Sequence, residues 1–294
     1  MANFHRFLPH KRVADTSGAG TLPATHSPDA LAPAHQEPRT FAALRQQFRQ
    51  QGQAQASQPR QQAPDSPAHF AFTIDSTGSM APFIADTKDS IGEIIRRVQE
   101  RARQAVAVQF FMYRDYCDGR AGILEVSELS ANAQYLSDWL QRIEARGGGD
   151  TPEAIEYALH RILTQGGFRA VLLAGDAPSH TAREIKAQSW ESIPPAHELA
   201  RSFRAQSMPI HTFVVQQAPA TVADFRAIAD AAGGVTGFLE RSRDDMLDMA
   251  VMAILERLAG RAAVESYMTE RRLLGPAREF GRALVPVSAR KGSK

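Results

Sequence analysis

The 294 residues contain a single cysteine, Cys117, so the chain can close no intramolecular disulfide and can build no several-thiolate site, whether structural zinc or iron–sulfur. Long apolar runs are missing as well: no stretch approaches the roughly 20 consecutive apolar residues that a membrane-spanning helix needs. Charge of one sign is not in excess. With 34 basic and 32 acidic residues the formal net charge is +2, which leaves no global field to attract nucleic acid or an anionic membrane. The opening residues, MANFHRFLPHKRVADTSG, lack the apolar core of a secretory signal, and a cytoplasmic protein is the expectation.

Residues 1–67 have few large apolar side chains among their Pro, Gln, Ala, Ser and His, and such a segment is expected to stay disordered because it cannot bury enough surface to offset its ordering entropy. Within it, Phe41, Leu44 and Phe48 recur at helical spacing behind Thr40, which marks Thr40–Gln51 as a transient helix or one that folds on a partner. Beyond Gly260 the chain carries Arg261, Arg271, Arg272, Arg278, Arg282, Arg290, Lys291 and Lys294, and residues 261–294 are read as a solvated basic tail.

Between them, residues 68–260 alternate apolar runs with amphipathic stretches, a length that suits one domain. Strands are expected at His69–Asp75, Ala105–Tyr113, Gly122–Leu129, Phe168–Asp176, Met208–Val215 and Val235–Leu239. Helices are expected at Pro82–Arg103, Ala133–Glu144, Pro152–Leu163, Pro195–Gln206, Val222–Ala232 and Asp244–Leu258. Alternation of this kind predicts an α/β fold with a doubly wound, mainly parallel sheet and helices on both faces. The Asp- and Gly-rich turn before Gly122–Leu129 suggests a hairpin, and so one antiparallel strand at a sheet edge.

In such a sheet, ligands bind beyond the carboxyl ends of the strands, where the loops converge. Asp75 ends the first strand and leads into STGSM, Asp176 ends a later one, and the run GGGDT precedes a helix in a loop at the same edge. Asp75, Thr77 and Ser79 alternate through a tight turn, so one carboxylate and two hydroxyls can face one side. Together with Asp176 they suit a hard cation such as Mg²⁺, which takes oxygen ligands and keeps several waters. Hydroxyls and water leave the ion electrophilic, and a glutamate or aspartate of a partner protein would then complete its shell.

DSTGS, Asp75 to Ser79, resembles the metal-ion-dependent adhesion-site motif of von Willebrand factor type A domains, with Thr77 in the place of the middle serine. The likeness extends to the order of strands and helices and to Asp176. YRDYCDG (Tyr113–Gly119), GGGDTPEA (Gly147–Ala154) and GDAPSH (Gly175–His180) are similar to the subset of these domains found in bacteria and beside atypical α-kinases. The resemblance implies a Rossmann-like sheet, a Mg²⁺ or Mn²⁺ site on its upper edge, and metal-mediated protein binding. One position departs from it. Where many members carry a ligand threonine, this chain aligns Gly149, and Asp150 or Thr151 would have to serve; the longer reach of a carboxylate favours Asp150, at the cost of a less electrophilic metal.

Ser76, Tyr113, Asp115, Asp118 and His180 are secondary candidates for the partner surface, against plainer readings of a hairpin turn and a half-exposed loop histidine. Cys117 has no base placed beside it in sequence and reads as a loop thiol. The glycine run lacks the GK[ST] ending of a phosphate loop, and no HExxH or GxSxG occurs. The expectation is a non-enzymatic, metal-dependent protein-binding module. A metal-assisted phosphatase or other hydrolase with Asp115 as base, and a metal-independent scaffold, stand as alternatives.

Overall fold

The computed structural model describes residues 66–148, 151–239 and 243–285. The segment expected to be disordered lies almost wholly outside them. So do the Thr40–Gln51 helix, the candidate ligand Asp150 and the last nine residues.

In chain order the elements are β1 (Ala68–Asp75), α1 (Ala81–Ala102), β2 (Val106–Tyr113), α2 (Gly119–Gly122), β3 (Leu124–Val126), α3 (Ala133–Gln141), α4 (Ile155–Gln165), β4 (Val171–Gly175), α5 (Ala182–Gln188), α6 (Ala196–Ala205), β5 (Ile210–Val215), α7 (Pro219–Ala232), β6 (Thr236–Leu239), α8 (Arg243–Glu270) and α9 (Gly275–Leu284). The six strands form one sheet in the order β3-β2-β1-β4-β5-β6, parallel except for β3, which runs antiparallel to β2 at the edge.

β1 reads AHFAFTID, and its period of two sends Phe70, Phe72 and Ile74 to one face and Ala71, Thr73 and Asp75 to the other. Both faces are buried, as a central parallel strand requires. One face packs under α1, α3 and α8, where Ile84, Ile91, Ile94, Val98 and Leu140 meet the sheet. The opposite face packs under α4, α6 and α7 through Ile155, Leu159, Phe203 and Phe225. α1 begins with Pro82 in its first turn, where a missing N–H is harmless, and stops at Arg103 in the left-handed region (φ 50°).

The order of the strands decides where the loops meet. β2 lies on one side of β1 and β4 on the other, so the winding reverses at β1 and a crevice opens at the carboxyl ends of β1 and β4. Ile74 pairs with Ala174, and Asp75 therefore leaves the sheet beside Gly175 and Asp176.

Residues 261–285 correct the expectation of a solvated tail. α8 passes through a bend at Gly260 (φ 73°) and runs on to Glu270, and α9 follows it. Val264, Tyr267, Ala277 and Phe280 are buried. The Phe280 ring lies 5.4 Å from that of Phe213 and 6.1 Å from that of His211. The arginines that suggest a tail, Arg278 and Arg282 among them, occupy the outer face of an amphipathic helix whose inner face is Ala277, Phe280 and Gly281. α5 also went unread; it is seven residues long and is announced only by the reciprocal cap between Thr181 and Glu184.

Candidate functional site

The turn after β1 is closed by its own side chains. Asp75 is wholly buried, and its Oδ1 accepts the backbone N–H of Thr77 at 2.8 Å and the Thr77 hydroxyl at 2.7 Å. The Thr77 Oγ1 lies 3.4 Å from the Ser79 Oγ, so the alternating oxygens do face one side. Ser76 points the other way, donating from both its N–H (2.7 Å) and its Oγ (2.9 Å) to the Tyr113 carbonyl and fixing the turn to the end of β2.

The glycine run lies against this turn. Arg146 donates its N–H to the Ser76 carbonyl at 3.0 Å, and Gly78 donates to the Gly147 carbonyl at 3.4 Å. Gly147 and Gly148 have φ of 75° and 72°, values that suit glycine. Space demands glycine too: a Cβ on Gly148 would lie 2.7 Å from the Thr77 Cβ, and one on Gly147 would collide with the Asp118 carboxyl. Thr151, at the resumption of the described chain, is exposed.

The third loop leaves β4. A side chain at Gly175 would collide with the Tyr113 hydroxyl (2.5 Å) and crowd the Asp75 Cβ (3.3 Å), so glycine here lets the two strand ends close up. Asp176 follows, half-buried, with Gln216 donating to its Oδ2 at 3.2 Å and the Thr221 hydroxyl donating to its carbonyl at 2.9 Å. The Asp75 and Asp176 carboxyls lie close enough for each other's charge to be felt.

Glu153 is a member that the sequence reading did not single out. Its N–H donates to the Pro178 carbonyl at 2.9 Å, which ties the start of α4 to the loop after β4 and draws the carboxyl inward. Its Oε2, like the Asp75 Oδ2, is buried without a hydrogen-bond partner among the described residues. Burial pushes the Glu153 carboxyl up to about 9, helped by the charges of Asp75, Asp115, Asp118 and Asp176. Burial also pushes Asp75 up to about 7, with the Thr77 hydrogen bonds opposing and the neighbouring Asp176 reinforcing the rise. Two orphaned carboxylate oxygens in one anionic crevice form a donor set that a small hard cation fits. Among the described residues no three His, Cys, Asp or Glu side chains close on one point by themselves, so hydroxyls and water would belong to any such shell.

Residues 69–190, which contain all of these loops, match the family model described as the von Willebrand factor A domain. This part of the chain carries a von Willebrand factor A domain. Members of this family are typically protein-interaction modules. A protein of Acanthamoeba polyphaga mimivirus, whose name calls it ariadne-like with a RING finger, is 26% identical over 201 residues, which are 65% of this chain and 20% of that protein. The chain thus spans about a fifth of that relative's length. Among solved structures, the von Willebrand factor type A protein from Catenulispora acidiphila is 16% identical with a TM-score of 0.46, over 66% of this chain and 43% of its own. The SpRpn10 VWA domain is 11% identical with a TM-score of 0.43, over 62% of this chain and 95% of its own.

Within this A domain, four of the five secondary candidates turn out to be internal. Ser76, Tyr113, Asp115 and His180 are each at most 2% exposed and cannot line a partner surface in this state; only Asp118 is half-buried. Their side chains are used up in holding the loops. His180 Nε2 lies 3.1 Å from Asp115 Oδ1, and its Nδ1 lies 3.3 Å from Glu156 Oε1 and 3.2 Å from the Glu153 carbonyl. The Tyr116 hydroxyl donates to Glu156 at 2.9 Å, and its ring lies edge-on to His180. Burial opposes charge on both partners, yet their close pairing prevails, so His180 is pushed up to about 10 and Asp115 is held below the usual carboxylate range. A carboxylate engaged in this way is poorly placed to be the general base of the hydrolase alternative. Cys117 lies exposed in the turn that Asp115 caps.

Proposed function

We propose that the A domain binds a divalent cation, Mg²⁺ or Mn²⁺, at the crevice between β1 and β4 and uses it to engage an aspartate or glutamate of a partner protein. The observation that carries this reading is the pair of buried, unpartnered carboxylate oxygens, Asp75 Oδ2 and Glu153 Oε2, in a crevice that Asp176 makes more negative. Burial penalises the charged form of both carboxyls and raises them well above the usual carboxylate range, and a cation bound between them would compensate that charge in place of protons.

Asp75, Thr77, Ser79 and Asp176 would hold the ion, with Glu153 contributing directly or through water and Asp150 or Thr151 from the adjoining loop. The Thr77 hydroxyl gives its proton to Asp75, which leaves its lone pairs available to a cation. Bound there, the ion supplies Lewis acidity at the loop tips. Ser79 and Thr151 are exposed beside it, so a partner side chain has access from solvent. The two charges of Asp75 and Asp176 balance the ion, whereas Glu153 and Asp150 would overcompensate it and weaken its hold on an external carboxylate. The relative with a RING finger in its name fits a role as the binding part of a larger assembly, in this chain a signalling or stress-response complex.

Isothermal calorimetry with MgCl₂ on the wild type and Asp75→Ala tests the reading. Binding that disappears in the variant is expected; equal affinity in the two would refute it.

A further inference from the structure

We propose that the open edge of β3 is a second, metal-independent docking site, which takes an extended acidic peptide as an added strand. β3 is the outermost strand of the sheet. Leu124 and Val126 face Tyr113 and Phe111 across the antiparallel pair, while Arg114 N–H donates to Ile123 O and Ser127 N–H donates to Phe110 O. In an antiparallel ladder these alternate, so the N–H and C=O groups of Leu124 and Val126 point away from β2 and have no sheet partner among the described residues. An edge of this kind is a template for another strand.

The surroundings specify the occupant. A groove of about 400 Å³ runs along this edge between β3 and α4. Leu124, Val126, Tyr157 and Thr164 supply part of its wall, and among the described residues Arg120 and Arg161 are the only charged ones lining it. Val126, at 42% exposure, is one of only two large hydrophobic side chains exposed among the described residues. Arg161 is held by the Tyr157 hydroxyl and by Glu191, both at 2.6 Å. Arg120 forms no ion pair among the described residues, and its guanidinium rests over the Trp190 ring, 5.3 Å from the centroid. A stacked, uncompensated arginine above an apolar strand edge favours a carboxylate whose neighbours are aliphatic. Alternation along a docked strand would place one side chain in two toward the arginines and leave its amides to pair with Leu124 and Val126.

The test uses the full chain in EDTA, with a fluorescein-labelled heptapeptide alternating valine and glutamate, its valine–lysine counterpart, and a valine–glutamate version N-methylated on alternate amides. Saturable anisotropy is expected for the first peptide alone. Arg120→Glu is expected to weaken it about tenfold, the equivalent of about 1.4 kcal/mol. Val126→Pro removes an outward N–H without touching a bond to β2 and is expected to abolish binding, whereas Val126→Thr retains it. Should Val126→Pro unfold the domain, as circular dichroism would reveal, Arg120→Glu and the N-methylated peptide still decide. Binding that vanishes in EDTA would assign the peptide to the cation crevice instead and overturn the proposal. Equal binding of the lysine or N-methylated peptide, or displacement by free glutarate at the peptide's own concentration, would overturn it too.

Discussion

The methyl group that Gly148 lacks would stand 2.7 Å from the Cβ of Thr77. Two loops far apart in sequence can therefore share the crevice only while one of them has no side chain. Gly148→Ala is expected to destabilise the fold by about 1–3 kcal/mol, through its positive φ and through the collision, and to weaken Mg²⁺ about tenfold by moving Thr77. Gly166→Ala is the control. Its φ is 65°, but its new methyl would meet nothing closer than 4.0 Å, so urea denaturation should register a loss while calorimetry finds unchanged affinity. Wild-type affinity in Gly148→Ala would mean that the glycine loop does not support the cation.

Phe280 lies in the region that looks like a basic tail, yet it is 2% exposed and packs on Phe213 of β5. Phe280→Ala is expected to cost about 3–5 kcal/mol of unfolding free energy, the usual range for a truncated core aromatic. Arg282→Ala, two residues on and exposed, should change stability by less than about 0.5 kcal/mol. Thermal or urea melts of the two variants separate a packed helix from a solvated tail.

His211 is buried on β5, with its Nδ1 accepting the Val235 N–H at 3.3 Å and its Nε2 without a partner among the described residues. Burial, assisted by Arg257, pushes it down to about 4. A histidine lowered in the fold contributes no penalty above its unfolded value near 6.5. As pH falls below that value, the unfolded chain takes up a proton that the native state refuses, and stability drops until about pH 4. The total is on the order of 3 kcal/mol. Urea titrations at steps between pH 6.5 and 4 should show a shallower decline for His211→Gln than for the wild type; parallel declines would remove His211 as a cause.

The parallel strands and the main helices were legible because their patterns are local: AHFAFTID alternates, and α1 repeats its isoleucines at helical spacing. α9 was illegible because its arginines dominate composition while only a few small or aromatic residues face inward. His180 misled for a related reason. A histidine in a loop between Ser and Thr carries no local mark of burial, and only the approach of Asp115 and Glu156 from two other segments encloses it. Glu153 stood in plain view within GGGDTPE, but neither its orphaned oxygen nor its tie to Pro178 follows from a motif.

The sequence by itself determined the turn Asp75-Ser76-Thr77-Gly78-Ser79, since a carboxylate that caps the N–H two residues on needs only its own segment. It also determined the α/β alternation, because hydrophobic period is a property of each element alone. Tertiary structure alone decided which oxygens share the crevice and which groups remain available to a partner. Those outcomes depend on the strand order that sets Gly175 beside Asp75 and on the burial that withdraws Asp115 and His180 from the surface, and both arise only when distant segments pack.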